Sequence, residues 1–407
     1  MTTRLKALTG KKATDFCIYR NQPLLLVASK WSERHWVTFL VVVAILIVPR
    51  LAVTITEGTF GPAGDLFGDL RAILLGQQGL TSADTRVPWL RDYVDIAIVL
   101  LMSAHTAHMV HQWHRINSLP SRLRDARLLC PSLHKKRTFE AILAKHESRF
   151  NSPLWELAAV GIASIGVVLL AVVTSASGIY RGLGSPSPAL GHFSQWWANP
   201  DSHPLAFAVL MASYWLYLYL IARHACMGIL VVGLLVSAWR EADQHGESWL
   251  GYSSPWGASE EVILEMRGAL DDIMVSITLL VSVFLIGNLY ISLPLWLWFG
   301  FVLPYVVMNP SFLVFPSIEL NRRINSSWHR LEDASVAELG TAVAAAKRAT
   351  RRDAETATAK LEACRKTLDQ VRSLPKLVID WGYLAKAVLL YFVPAMALVP
   401  AFLGTHQ

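Results

Sequence analysis

The twenty residues WVTFLVVVAILIVPRLAVTI, positions 36–55, contain a single charge, Arg50. A helix needs about 20 mostly apolar residues to cross a hydrocarbon core of roughly 30 Å. A soluble helix shows an apolar stripe opposite a polar face, whereas this stretch is apolar all round. Its reading as a membrane span decides the fold, because six further stretches share its character: 93–113, 156–179, 205 to the neighbourhood of His224, 273–292, 295–315 and 385–403. Long unbroken apolar runs exclude a membrane barrel, whose strands alternate. The composition agrees, with 53% hydrophobic and 16% charged residues among 407, far from the balance of a soluble domain. The expected fold is all-α, a polytopic membrane protein of seven transmembrane helices.

Loop charge predicts the orientation, since Lys and Arg accumulate on the cytoplasmic side. Segments 1–35, 114–154, 240–271 and 316–384 hold seven, nine, two and twelve of these residues. The alternate segments hold four between them, Arg71, Arg86, Arg91 and Arg181. The amino terminus is therefore expected inside and the short carboxyl tail outside. The basic segment 1–35 is too long and too polar for a cleaved signal peptide, so the first span should remain as an anchor. Cys17, Cys130, Cys226 and Cys364 fall in or beside the inner segments, and no disulfide framework is expected. The net charge of +7 follows from the same asymmetry. It suits anionic lipid head groups and does not call for a nucleic acid partner.

The domain organisation follows. Residues 1–35 form a basic inner segment, and 36–315 carry spans one to six with helical inner loops at 114–154 and 240–271. Residues 316–384 form an inner helical hairpin, and 385–407 hold the seventh span and outer tail. Trp31, Trp36, Trp89, Trp113, Trp155, Trp196, Trp197, Trp296, Trp298 and Trp381 sit where an aromatic belt would place them. In the outer segment 57–90, Leu66, Phe67, Leu70, Ile73 and Leu74 recur at helical spacing and predict a short amphipathic surface helix.

The apolar run 205–239 is too long for the bilayer and must protrude past Arg223 and His224, whose charge suits head groups, into the inner helical assembly. The insert must double back, since both its ends meet one membrane face. Its turn is expected between Ala349 and Ala354, with a competing break at the capping box of Ser335 and Glu338. Pro304, Pro310, Pro316, Pro394 and Pro400 bend the final spans.

The candidate functional groups are few. His105, His108, His111 and His114 recur every third residue and form a slanting helical stripe, and His224 is the one histidine in another span. His105, His108, His111 and His224 are candidates for a proton or ion path, or for metal or haem ligation. The preferred reading is that they are core and interface residues, with His105 deep enough to suggest a purpose. No cofactor is expected and the metal assignment is left open, because carboxylates near the stripe are missing. Arg50 and Asp95 are charges within the outer half of the bilayer, at depths that allow contact. An intramembrane charge usually has a partner; the two are expected to pair, as a structural clamp or a permeation constriction. Lys386 can snorkel. Thr278, Ser282 and Asn288 are candidates for a polar lining, or bond to their own backbone. Ala159, Ala163, Gly166, Ser175 and Gly178 let another helix approach closely.

The chain contains no phosphate loop, HExxH, GxSxG, paired CxxC or dinucleotide fingerprint, and is expected not to be an enzyme. The expected function is an oligomeric ion channel or channel-like pore of the plasma membrane, with the lipid bilayer and other copies of itself as partners. The alternatives are a signalling or scaffold protein that binds a cytoplasmic partner through its coiled insert, and a haem or metal electron-transfer protein. The layout of seven spans, inner amino terminus and inward-extended helices resembles that of insect odorant and gustatory receptor channels, in topology alone.

Overall fold

A computed structural model describes residues 16–20, 34–61, 86–125, 133–177, 195–244, 268, 271–272, 274–284, 286, 318, 321–322, 325–326, 328–350, 353–374, 382 and 385. The described chain is helical. Its elements are α1 (His35–Thr56), β1 (Arg86–Val87), α2 (Tyr93–Asp125), α3 (Leu133–Phe150), α4 (Pro153–Ser177), β2 (Gln195–Trp196), α5 (Pro204–Gln244), α6 (Met274–Phe284), α7 (328–348) and α8 (Ala354–Ser373). β1 and β2 are a two-residue parallel pair, Arg86 opposite Gln195 and Val87 opposite Trp196.

Four helical stretches are long and apolar enough to cross a membrane: His35–Thr56, Tyr93–Ser118, Ala141–Val172 and Pro204–Val231. They make this a membrane protein. The first lies within a residue of its expected limits at either end. Expected spans 295–315 and most of 385–403 lie outside the described residues, as does the amphipathic stretch 66–74. The fifth expected span is represented by the shorter apolar helix α6.

Local chemistry sets the helix ends. α1 closes with a left-handed Gly58 at φ 67°, whose N–H donates to Ile55 O at 3.3 Å while Thr59 N–H donates to Thr54 O at 2.8 Å. That double bond caps orphan carbonyls and suits a residue with no Cβ. α2 starts at Asp92, whose Oδ1 accepts the Asp95 N–H at 3.0 Å, an N-cap. α4 and α5 begin at Pro153 and Pro204, where a missing N–H is harmless.

α5 packs against each of α1, α2, α3 and α4. Its 41 residues make one helix of roughly 60 Å, so the expected protrusion is a continuation of the span. Ala159 and Ala163 are fully buried, where α4 lies along α5, and the Trp215 indole of α5 donates to Ser164 Oγ of α4 at 3.1 Å. Ala159 and Ala163 of the small-residue stripe thus pack within the chain, and Gly178 lies outside the described residues. The outward side of α4, by contrast, exposes Leu154, Leu157, Ile162, Ile165, Val168 and Val172, and α1 exposes Leu40, Val41, Ile45 and Val48. Apolar surface on this scale belongs in lipid.

Residues 16–20 were not expected to pack. Phe16, Ile18 and Tyr19 are buried among Met109, Trp113, Leu143, Phe150, Met227 and Leu230. Ile18 N–H donates to Asn117 Oδ1 at 3.1 Å, and Asn151 Nδ2 donates to Cys17 O at 2.8 Å. Burial of such side chains stabilises by about 1.5–3 kcal/mol each before ordering costs. Cys226 and Cys364 are free thiols, and Cys130 is outside the described residues.

The chain reverses between α7 and α8, where Thr350 Oγ1 donates to Asp353 Oδ2 at 2.6 Å. The arms are joined by the buried Trp328, whose indole donates to Val371 O at 2.9 Å, and by Arg372 with Glu332 at 3.1 Å. Ser335 lies within α7, buried and without a break, because a buried side chain in mid-helix does not need to cap.

Candidate functional site

A file of polar groups, buried in its first two layers and half-buried in the third, runs through the bundle. In the first, Arg50 and Asp95 meet directly: Nε donates to Oδ2 at 3.0 Å and Nη2 to Oδ1 at 3.4 Å, with both side chains wholly buried. Pro49 lies just before Arg50 within α1, and a proline there leaves a carbonyl of the preceding turn without its N–H. Arg50 Nη1 donates to the neighbouring Leu46 O and to Ser213 Oγ on α5, each at 2.9 Å. The guanidinium therefore ties α1 to α2 and α5 at one point, with the forked geometry that suits a carboxylate.

Around this pair lies a carboxylate and indole cluster that the sequence reading missed. Trp89 Nε1 donates to Asp95 Oδ2 at 2.9 Å. Asp92 Oδ2 accepts from Trp196 Nε1 at 3.0 Å and from Trp197 Nε1 at 2.7 Å. These three tryptophans are buried, as is Trp113, so the belt assignment is corrected for all four. The reason is a donor that needs a partner: each indole N–H finds an acceptor inside the protein, and the ring follows it. Trp36 does remain exposed. The detectable signal for Asp92 was its place three residues before Asp95 at a helix start, an N-cap spacing.

The second layer is centred on His105, 1% exposed. Its Nδ1 is 2.7 Å from Tyr217 Oη on α5 and its Nε2 is 2.8 Å from Ser276 Oγ on α6. Tyr217 lies four residues after Ser213, one turn or about 6 Å along α5, so the first two layers are linked through that helix. Along α2 itself the interval is closed by the buried apolar side chains of Ile98, Val99 and Met102.

In the third layer His108 Nε2 is 2.7 Å from Asp272 O, and Arg115 Nη1 pairs with Asp272 Oδ2 at 2.7 Å. Asp272 lies one turn before Ser276. Gly268 makes room for the Arg115 guanidinium, since a Cβ there would stand 2.1 Å from Nη2. Gln112 shares this stripe of α2 and is buried, and among the described residues neither of its amide atoms has a hydrogen-bond partner.

The remaining expected residues fall beside this file. His111 packs its ring against His35 at a centroid distance of 4.1 Å. His224 Nδ1 accepts the Trp113 indole N–H at 2.9 Å. Arg223 is not a head-group residue: it is 2% exposed, donates to Phe150 O at 2.9 Å and pairs with Glu156 at 3.3 Å, which also accepts from Tyr219. Thr278 Oγ1 donates to Met274 O at 3.0 Å and Ser282 Oγ to Thr278 O at 2.8 Å. These two bond their own helix, and Ser276, about 160° round the helix from Thr278, is the α6 hydroxyl that meets His105. Asn288 lies outside the described residues. Among the described residues no three His, Cys, Asp or Glu side chains converge as metal donors.

The chain matches no protein-family model, and comparison with curated proteins and with solved structures finds no match. Chemical inference therefore rests on the file itself. It can hold or pass charge along hydrogen bonds.

Proposed function

We propose that this protein is a non-enzymatic, multi-pass channel-like pore of the plasma membrane, with seven spans, an inner amino terminus and a homo-oligomeric assembly. The observation that carries the reading is the polar file from Arg50 and Asp95 through His105 to Asp272 and Arg115. Ionisable groups in a membrane bundle are costly, and they mark ion and proton routes more often than packing requires. The apolar plug of Ile98, Val99 and Met102 and the complete burial of the ion pair fit a closed conformation. Purified protein reconstituted into planar bilayers is expected to conduct above lipid alone, with conductance altered by Arg50→Gln and by Asp95→Asn. Well-formed protein that never conducts overturns the proposal.

A second reading is favoured by the hairpin, where α7 leaves Val336 and Val343 exposed two turns apart. These would seat a cytoplasmic partner on the insert, with the continuous α5 as the rigid link to the membrane bundle. Loss of partner capture on Val336→Glu, with conductance absent throughout, would select that reading.

A further inference from the structure

We propose that the species moved is the proton, that each subunit carries its own route, and that His105 relays it between Tyr217 and Ser276. The inference rests on the pore reading above and names its permeant.

A neutral imidazole donates from one nitrogen and accepts at the other, whereas a hydroxyl does either. An imidazole held between two hydroxyls, at 2.7 and 2.8 Å, therefore has two hydrogen-bond directions available in place. In one, Tyr217 O–H donates to Nδ1 and Nε2–H donates to Ser276 Oγ; in the other, both bonds run backwards. A proton reaching the Tyr217 oxygen releases the tyrosine's own hydroxyl proton to Nδ1, and the ring becomes imidazolium. The Nε2 proton then passes to Ser276 Oγ, whose hydroxyl proton leaves toward the Asp272 layer. One O–H and one N–H bond break on the ring's two sides as their counterparts form, one proton enters and one leaves, and water at either end is the only co-reactant. The ring is left with its hydrogen on Nδ1, and a second proton follows once the ring has reoriented or exchanged that hydrogen with water so that Nε2 carries it again.

Larger ions are poorly served by the same groups. A metal cation must exchange its hydration shell for several oxygen ligands, and from Ser213 through Ser276 the described file offers three hydroxyls and a ring. Arg50, fixed beside that entrance, keeps its own proton and takes no part in the transfer.

The test is proton uptake by proteoliposomes of the full chain, read by an entrapped pH dye while valinomycin sets a potassium diffusion potential. Potassium and chloride fluxes are read in parallel vesicles. Two variants are compared with wild type. His105→Gln keeps partners for both hydroxyls and cannot relay, and Tyr217→Phe keeps the ring packing and removes one hydroxyl. Wild type is expected to take up protons with potassium and chloride near background, and each variant to do so about a hundredfold more slowly, the scale set by loss of a positioned proton-transfer group. Thermal unfolding shows whether each variant folds, and Tyr217→Phe decides alone if His105→Gln does not. An unchanged proton rate in a folded variant overturns the relay. Wild-type vesicles that pass potassium or chloride and not protons overturn it while leaving the pore reading intact. Vesicles that pass nothing overturn both.

Discussion

Neutralising Asp95 exposes what the ion pair contributes. Asp95→Asn keeps the shape of the side chain and removes the charge that faces Arg50. In the wild type this carboxylate accepts Arg50 Nε at 3.0 Å, Arg50 Nη2 at 3.4 Å and Trp89 Nε1 at 2.9 Å. The asparagine can present its oxygen to one of the Arg50 donors and must turn an NH2 toward another. Arg50, wholly buried, then keeps its charge with Ser213 Oγ and Leu46 O as neutral acceptors. Breaking a buried pair from one side costs about 3–5 kcal/mol, most of it the penalty of an uncompensated charge. Arg50→Met should cost a similar amount, for the carboxylate left behind. The double variant removes both charges, so its loss should fall short of the summed single losses by about 2–3 kcal/mol. Reversible unfolding of the four proteins in mixed micelles, followed by tryptophan fluorescence, measures the cycle. Single losses below about 0.5 kcal/mol, or additive ones, would refute the reasoning, because distant surface changes behave that way.

Three further outcomes follow from the same packing. Trp197→Phe removes one of the two indole donors to Asp92 Oδ2 and should destabilise by about 1–3 kcal/mol, read as a lower midpoint in the same unfolding assay. Ala163→Leu, at a fully buried position on α4, should cost about 1–3 kcal/mol by overpacking. Ile165→Ala, 64% exposed on the same helix, should change stability by less than about 0.5 kcal/mol, as expected away from buried features; equal effects at the two sites would contradict the assignment of faces. Trp328→Ala, which removes a 2% exposed ring and its bond to Val371 O, should loosen the hairpin by about 3–5 kcal/mol. Faster tryptic cleavage after Lys347 or Arg348 would report it.

Four of the expected spans and the ion pair were legible because each depends on a local quantity. The length and uniformity of 36–55 alone define α1, and Arg50 and Asp95 could be matched by counting residues from the membrane surface. The reversal near Thr350 was legible for a similar reason, since an insert expected to begin and end on one face has to double back. The surroundings of these groups were not legible. Trp89, Trp196 and Trp197 have the spacing of belt residues, and the acceptors that bury them, Asp92 and Asp95, are brought to them only by tertiary packing. Ser276 was passed over for Thr278 and Ser282 because an apolar-flanked hydroxyl looks the same on any face of a helix. Which face meets His105 depends on how α6 sits against α2. The docking of Phe16, Ile18 and Tyr19 had no periodicity to announce it, since so short a segment has none.

The central claim is that lipid surrounds the apolar helices and that the basic segments all face the inside, and labelling of the hairpin tests it most directly. In a cysteine-free background, Lys347→Cys places one exposed thiol near the reversal between α7 and α8. An impermeant maleimide should leave it unmodified in intact cells and react with it fully once the membrane is opened. Modification in intact cells would contradict the orientation and every assignment of inside and outside that follows from it.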